Sequence, residues 1–481
     1  MPSFADVQIS TWINYALFAL YILTILSCIA VILSENRNPI KSLAWVTVLI
    51  FLPVAGLILY IFFGRSLRNM HMISQHKKRK LLSNQSIPNI NFENLNIDED
   101  NKRTIKLAYA INNAIYYDNN QLKIFTSGEE KFNSLKHDLL NAKHSINLQY
   151  YIFKDDKLGK EIADILIQKA KEGLNVRVIY DHVGSFTVNN KFFKQLRVAG
   201  VDTHPFFRVT FPQFANRINW RNHRKIVVID EEIGYVGGMN IADRYIEGTP
   251  PFTIWRDTHL RITGSVVNSL LYSFAVDWNF TNKELIQNEI NNLKIPQKKG
   301  VGMQFVTSGP TDNWENIELL FSKAIASAKK CIYIQTPYFL PTNNLFKALQ
   351  AAALSKVDVR IMIPKKSDSV ILTLSSYSYI EKCLLAGIKI YLYETGMLHS
   401  KNMIIDNEFT TTGSANFDFR SFEHNFESNL LIYDKEINNK MKDIFFNDTK
   451  DCSKISLSNW RSRPKLQKTI ESIIRLLSPI L

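Results

Sequence analysis

The stretch WRNHRKIVVIDEEIGYVGGMN, Trp220 to Asn240, sets a histidine two residues before a lysine, then an apolar run ending on aspartate, then a Gly-Gly-x-Asn turn. The same grammar returns as LHSKNMIIDNEFTTTGSAN, Leu398 to Asn416. The offsets agree, since 399 − 223 and 416 − 240 both give 176. In an extended chain a spacing of two puts both side chains on one face, so His223 with Lys225, and His399 with Lys401, can address a single ligand. Imidazole beside ammonium suits a phosphate. Asn240 and Asn416 can donate amide hydrogen bonds to phosphate oxygens, while Gly238 and Ser414 permit close backbone approach, a phosphate-binding set by residue type. Asp230 and Asp406 end the two apolar runs, where a carboxylate can pair with a nearby cation and fix a turn. They belong to the motif but read as structural rather than as acid-base groups. One copy would prove little; two copies in step read as two halves of one site.

The elements that must carry these residues repeat as well. INLQYYIF (Ile146 to Phe153) answers IYIQTPYF (Ile332 to Phe339), and NVRVIYD (Asn175 to Asp181) answers DVRIMIP (Asp358 to Pro364). Such strand signals alternate with helical patterns, which predicts an α/β fold built twice, with the two motif strands facing each other across a pseudo-two-fold axis. The halves are expected at 111–295 and 296–455. A basic and polar linker, 69–110, precedes them, poor in hydrophobic periodicity from Ser83 to Arg103 and carrying the cluster Lys77 to Lys80. An amphipathic tail, 456–481, follows, with Leu466, Ile470, Ile473, Ile474 and Leu477 on one face; docking on the domain is its commoner fate, the membrane the other.

Residues 1–68 read differently. Two uncharged apolar runs, 13–33 and 43–63, are each about 21 residues, enough to span roughly 30 Å of hydrocarbon. They predict a transmembrane hairpin; a signal peptide fits less well, because the first run is too long, lacks a basic leader and meets a second span at once. Arg37 and Lys41 lie between the runs, and Arg65, Arg68 and the Lys77 to Lys80 cluster lie after them. The heavier positive side should be cytoplasmic, so the catalytic part is expected at the cytoplasmic face of the cell membrane. The net charge of +14 calls for an anionic partner, whether lipid, phosphate substrate or nucleic acid. Cys28, Cys331, Cys383 and Cys452 have no CxxC spacing, so neither a disulfide framework nor a zinc ribbon is expected. Between His204 and Lys225, Phe206, Phe207, Phe211, Phe214 and Trp220 interleave with Arg208, Arg217 and Arg221. That mixture suits a lipid interface, with core packing of some aromatics as the alternative.

The two motifs resemble the paired HKD motifs of the phospholipase D superfamily. The apolar segment NPIKSLAWVTVLIFLPVAGLILYIFFGR, together with GGMNIADRYIEG and WRDTHLRITG, resembles bacterial cardiolipin synthases in particular. The resemblance covers essentially the whole chain. It implies a duplicated phospholipase D-like fold and head-group exchange, in which two phosphatidylglycerol molecules give cardiolipin and glycerol. It also implies acidic residues that orient the histidines, and Asp257 and Glu427 occupy the corresponding positions. Asp257 is expected behind His223, and Glu427 behind His399. Arg221 and Arg224, beside His223, would keep that ring neutral as the nucleophile of a phosphatidyl-histidine intermediate, leaving His399 to carry the proton. No cofactor or metal is expected, since Lys225, Lys401, Asn240 and Asn416 can stabilise the phosphate charge and no HExxH run is present. The expected partners are phosphatidylglycerol, cardiolipin and an anionic membrane, not nucleic acid; homo-oligomerisation stays open. The rivals are a hydrolytic phospholipase D or nuclease of the same superfamily, and a non-enzymatic protein that binds acidic lipids.

Overall fold

Short runs rich in Ile and Val, each followed by an amphipathic helix, set the architecture. The computed structural model describes residues 4–34, 39–64, 67–68, 70–83, 95, 97–210, 219–286 and 300–476. Arg37, Arg65, Phe211, Phe214, Arg217, Leu477 and most of 84–96 lie outside the described residues. The chain divides into two compact units, Met1–Leu67 with Val209–Asn219, and Arg68–Arg208 with Trp220–Leu481.

In the larger unit, fifteen strands form one mixed sheet. Read inward from one edge, the order is Asp202–Phe206, Asn175–Asp181, Ser145–Tyr150, Ile226–Ile229, Ile233–Gly237, His259–Thr263 and Tyr116–Phe125. Beyond an outermost strand, Cys452–Lys454, the other edge reads Lys389–Tyr393, Asp358–Pro364, Cys331–Gln335, Asn402–Ile405, Phe409–Gly413, Glu427–Tyr433 and Val301–Ser308. The two series meet where Tyr116–Phe125 pairs antiparallel with Val301–Ser308.

Crossover helices cover the parallel strands. Asp156 caps Lys157–Lys171 by accepting from the Gly159 amide at 3.1 Å, and its buried Leu158, Ile162 and Leu166, four residues apart, form the stripe that faces the sheet. Thr342 caps Asn343–Leu354 in the same way, with Leu345, Phe346 and Leu349 buried. Each series has its own apolar core, one around Ile146, Leu148 and Val178, the other around Ile332, Ile334 and Ile361.

Three expectations are corrected here. The linker does not run to residue 110: Glu99–Asn112 is a helix capped by Asp98, and its Ile105 and Ala108 are fully buried in the second core. The tail docks on the domain as expected, packing along the helix Val370–Leu385, but not by its apolar face. In the helix Lys465–Arg475, Leu466 and Ile473 are 72% and 59% exposed, while Glu471 is buried and ion-paired with Arg463 at 2.7 Å. The buried charge pair turns the helix over. Among the described aromatics before the first motif, Phe206, Phe207 and Trp220 are buried, so these three pack in the core rather than face a lipid interface.

In the smaller unit, Phe4–Ser34 is one helix, and its stretch Thr11–Leu33 is long and apolar enough to cross a membrane. The second apolar run is not one continuous helix. It is divided into Pro39–Phe51, Pro53–Leu59 and a wide turn at Tyr60–Gly64, because Pro53 has no N–H to continue the ladder. Ile25 and Ile32 of the first helix pack with Leu49 and Tyr60 of these segments.

Candidate active site

The two motif strands, Ile226–Ile229 and Asn402–Ile405, lie in different series of the sheet, yet their histidines meet the opposite series through the backbone. The His223 amide donates to the Phe426 carbonyl at 2.9 Å, and the His399 amide donates to the Arg256 carbonyl at 2.7 Å. Phe426 and Arg256 immediately precede Glu427 and Asp257. The acids are therefore exchanged relative to the sequence expectation. Nδ1 of His223 lies 2.9 Å from Glu427 Oε1, and Nδ1 of His399 lies 2.6 Å from Asp257 Oδ2. Sequence order suggested partners within one half; the short strand pairing of Met397–Leu398 with Trp255–Arg256 and the Asn222–Phe426 bridge make them reach across. A carboxylate on Nδ1 holds the proton there and leaves Nε2 for chemistry.

Both rings are almost fully buried, and burial depresses both: His223 falls to about 4, and His399 drops well below its ordinary value. The carboxylates differ. Burial raises Asp257 to about 6, whereas for Glu427 burial is outweighed by His223 and Lys225, and it stays below the usual carboxylate range. Lys225 Nζ donates to the His223 carbonyl at 2.6 Å, and Lys401 Nζ lies 2.9 Å from His399 Nδ1. Burial lowers both lysines, Lys401 to about 8. Lys401 acts electrostatically on His223, and Lys225 on His399, so both pairs belong to one site.

The remaining sequence candidates take other places. Ser414 does not face a ligand: its hydroxyl donates to Glu427 Oε2 and its amide to the Ser428 carbonyl. Gly238 gives its amide to the Thr258 carbonyl at 2.9 Å, and a Cβ there would stand 2.1 Å from Asp257 Oδ1. The two equivalent positions thus shape the two carboxylates rather than a phosphate. Asn240 accepts from the Ile152 amide at 3.1 Å and donates to the Tyr245 hydroxyl at 2.6 Å, and the Asn416 side chain hydrogen-bonds Asp418. Arg221 and Arg224 do not tune His223, because each is bound by a buried aspartate, Asp181 at 3.1 Å and Asp277 at 2.8 Å.

Among the described residues, Asp230 and Asp406 pair with no cation. Both sit at φ 50°, and each accepts three backbone amides, from Lys143, His144 and Ser145 and from Lys329, Lys330 and Cys331. Seven residues of extended chain place them roughly 20 Å from the histidines, so they are structural. Asp406→Ala is expected to destabilise the protein by about 2–4 kcal/mol, from lost charge-assisted bonds and a left-handed backbone that alanine resists. Denaturant melts should show the loss, with kcat of the folded enzyme within about threefold of wild type by the same argument; a large kcat loss without destabilisation would make Asp406 a participant.

A family model described as "Cardiolipin synthase, PLD-like domain" matches residues 135–250 and 321–449, which contain both histidine motifs. The chain belongs to the PLD-like cardiolipin synthase family. A second model, "Phospholipase_D-nuclease N-terminal", matches residues 19–65. The chain is 42% identical over 473 residues to the major cardiolipin synthase ClsA of Bacillus subtilis, covering 96% of this chain and 98% of that one. It is 40% identical to cardiolipin synthase 2 of Bacillus anthracis, over 94% and 89% of the two chains. Among solved structures, the phosphatidylserine synthase of Haemophilus influenzae aligns with a TM-score of 0.60 over 79% of this chain and all of that one; at 16% identity it shows the fold.

Sequence reasoning missed the rings around this family's histidines. Tyr151 stands edge-on to His223 at 5.0 Å, and Trp255 and Tyr245 flank His399 at 5.5 and 6.0 Å. It also missed Arg244 and Arg420, both half-buried beside these rings. One signal was present: 420 − 244 is again 176.

Proposed function

We propose that this chain is a cardiolipin synthase that moves a phosphatidyl group between two phosphatidylglycerol molecules, with release of glycerol. The observation that carries the reading is the exchanged pairing of two histidines with two buried acids, which makes one composite site from two motifs. His223 Nε2, neutral because its ring binds a proton only near pH 4, attacks phosphorus; the P–O bond to glycerol breaks, and His399 protonates the leaving oxygen. The hydroxyl of a second phosphatidylglycerol then attacks, the P–N bond breaks, and His399 takes the hydroxyl proton. Asp257, raised to about 6, makes the Asp257–His399 pair the better proton holder of the two. This replaces the arginines as the reason for the assignment. Lys225 and Lys401 stabilise the phosphorane charge.

The mirrored strand order supports a duplicated fold with halves near 111–295 and 296–455, joined to an N-terminal hairpin whose second limb is broken at Pro53. The positive flanks favour a cytoplasmic catalytic part. The outward apolar face of Lys465–Arg475, with Lys465 and Lys468 on the same helix, suits an anionic membrane surface. Purified enzyme in detergent with phosphatidylglycerol as the sole lipid is expected to yield cardiolipin and glycerol in equal amounts. Phosphatidic acid without cardiolipin would make it a hydrolase.

A further inference from the structure

Most buried arginines near the two histidines have a dedicated carboxylate. Arg221 has Asp181, Arg224 has Asp277, and Arg256 is held by Asp448 at 2.8 and 3.1 Å. Arg244 differs. No carboxylate lies within ion-pair distance of it among the described residues, and its buried Nε–H has no hydrogen-bond partner there. Its guanidinium is held by aromatic faces instead, 4.8 Å from Trp255 and 5.4 Å from Tyr245. The same two rings flank His399 at 5.5 and 6.0 Å. Arg244 is only partly covered, so a ligand can reach it. A cation set among aromatic rings, with an unused buried donor and only the more distant Asp368 acting on its charge, can take up an anion at that donor.

We propose that Arg244 binds the phosphate of the acceptor lipid and so selects an acceptor that carries one. The inference rests on the phosphatidyl-transfer reading above. In the second half-reaction the acceptor's primary hydroxyl must lie against His399, which takes its proton as the oxygen bonds to phosphorus and the P–N bond to His223 breaks. The acceptor's own phosphate is then one glycerol length from His399. Arg244 stands beside that histidine, and its planar fork matches two phosphate oxygens. Arg244 undergoes no bond change; it is a specificity residue. Water, glycerol and simple alcohols present no phosphate and gain nothing from it, whereas phosphatidylglycerol does.

The test uses the full chain in mixed micelles of phosphatidylglycerol with ethanol as a competing neutral acceptor, reading the ratio of cardiolipin to phosphatidylethanol. Arg244→Gln is expected to lower that ratio about 10- to 100-fold, the scale of charge-assisted bonds to a phosphate. Arg244→Lys, which keeps the charge without the fork, should lower it less. A fall in both products with an unchanged ratio, in either variant, overturns the proposal, because Arg244 would then serve the donor phosphate or the fold. An unchanged ratio at unchanged rates overturns it as well. A wild-type enzyme that makes phosphatidylethanol but no cardiolipin would refute the parent reading instead.

Discussion

Cardiolipin formation is expected to fall by about 10⁴-fold or more in His223→Asn, the scale on which loss of a nucleophile acts. His399→Asn should fall by about 10²- to 10⁴-fold with phosphatidylglycerol, the worth of general acid-base catalysis. The variants then part company. Given a phosphatidyl donor whose leaving group needs no protonation, His399→Asn still completes the first step, but nothing deprotonates the acceptor, so the phosphatidyl-enzyme accumulates. Digestion and mapping of the acid-labile phosphohistidine should place the label on the peptide containing His223. His223→Asn should form no adduct. Label on the peptide containing His399 in wild-type enzyme would reverse the two roles while leaving a two-histidine mechanism in place.

The exchanged acids should be nearly as important as the rings. Asp257→Asn and Glu427→Gln are each expected to lower kcat by about 10²- to 10⁴-fold, as loss of a histidine-orienting carboxylate does elsewhere. Their pH profiles should differ in the limb that moves. In wild type, kcat/KM falls on the acid side as His223 gains a proton near pH 4, and on the alkaline side as the Asp257–His399 pair, whose carboxyl burial raises to about 6, loses its proton. A bound phosphate anion favours protonated groups, so the alkaline limb of kcat should lie higher than that of kcat/KM. Removing the Asp257 carboxylate makes His399 harder to protonate and should move the alkaline limb to lower pH. Glu427 raises His223, so Glu427→Gln should move the acid limb to lower pH. If instead Asp257→Asn moves the acid limb and Glu427→Gln the alkaline one, the acids serve their own halves and the exchanged pairing is wrong.

Much of this site was legible in the chain itself. The equal spacing of His223, Lys225 and Asn240 with His399, Lys401 and Asn416 needs no structure to be seen, because it is read directly from the numbering, and a strand's period of two fixes which residues share a face. The apolar stretch Thr11–Leu33 was equally plain, since a bilayer imposes length and composition. Partners were not. Glu427 lies 204 residues from His223, and nothing local distinguishes it from Asp257 as that ring's acid; a backbone bond from His223 to Phe426, made only when the two series of strands meet, decides it. The same holds for Ser414 and Gly238, whose types suggested phosphate contact but whose neighbours across the sheet are carboxylates. Asp230 and Asp406 already read as structural ends of the motif, but the sequence suggested a cation as their partner, and only the fold shows their oxygens spent on three amides apiece. Residue type and spacing determined that two imidazoles would share a site; which acid each would meet, and which arginine would rest on aromatic rings rather than on a bonded carboxylate, are properties of contacts between distant segments that sequence periodicity does not encode.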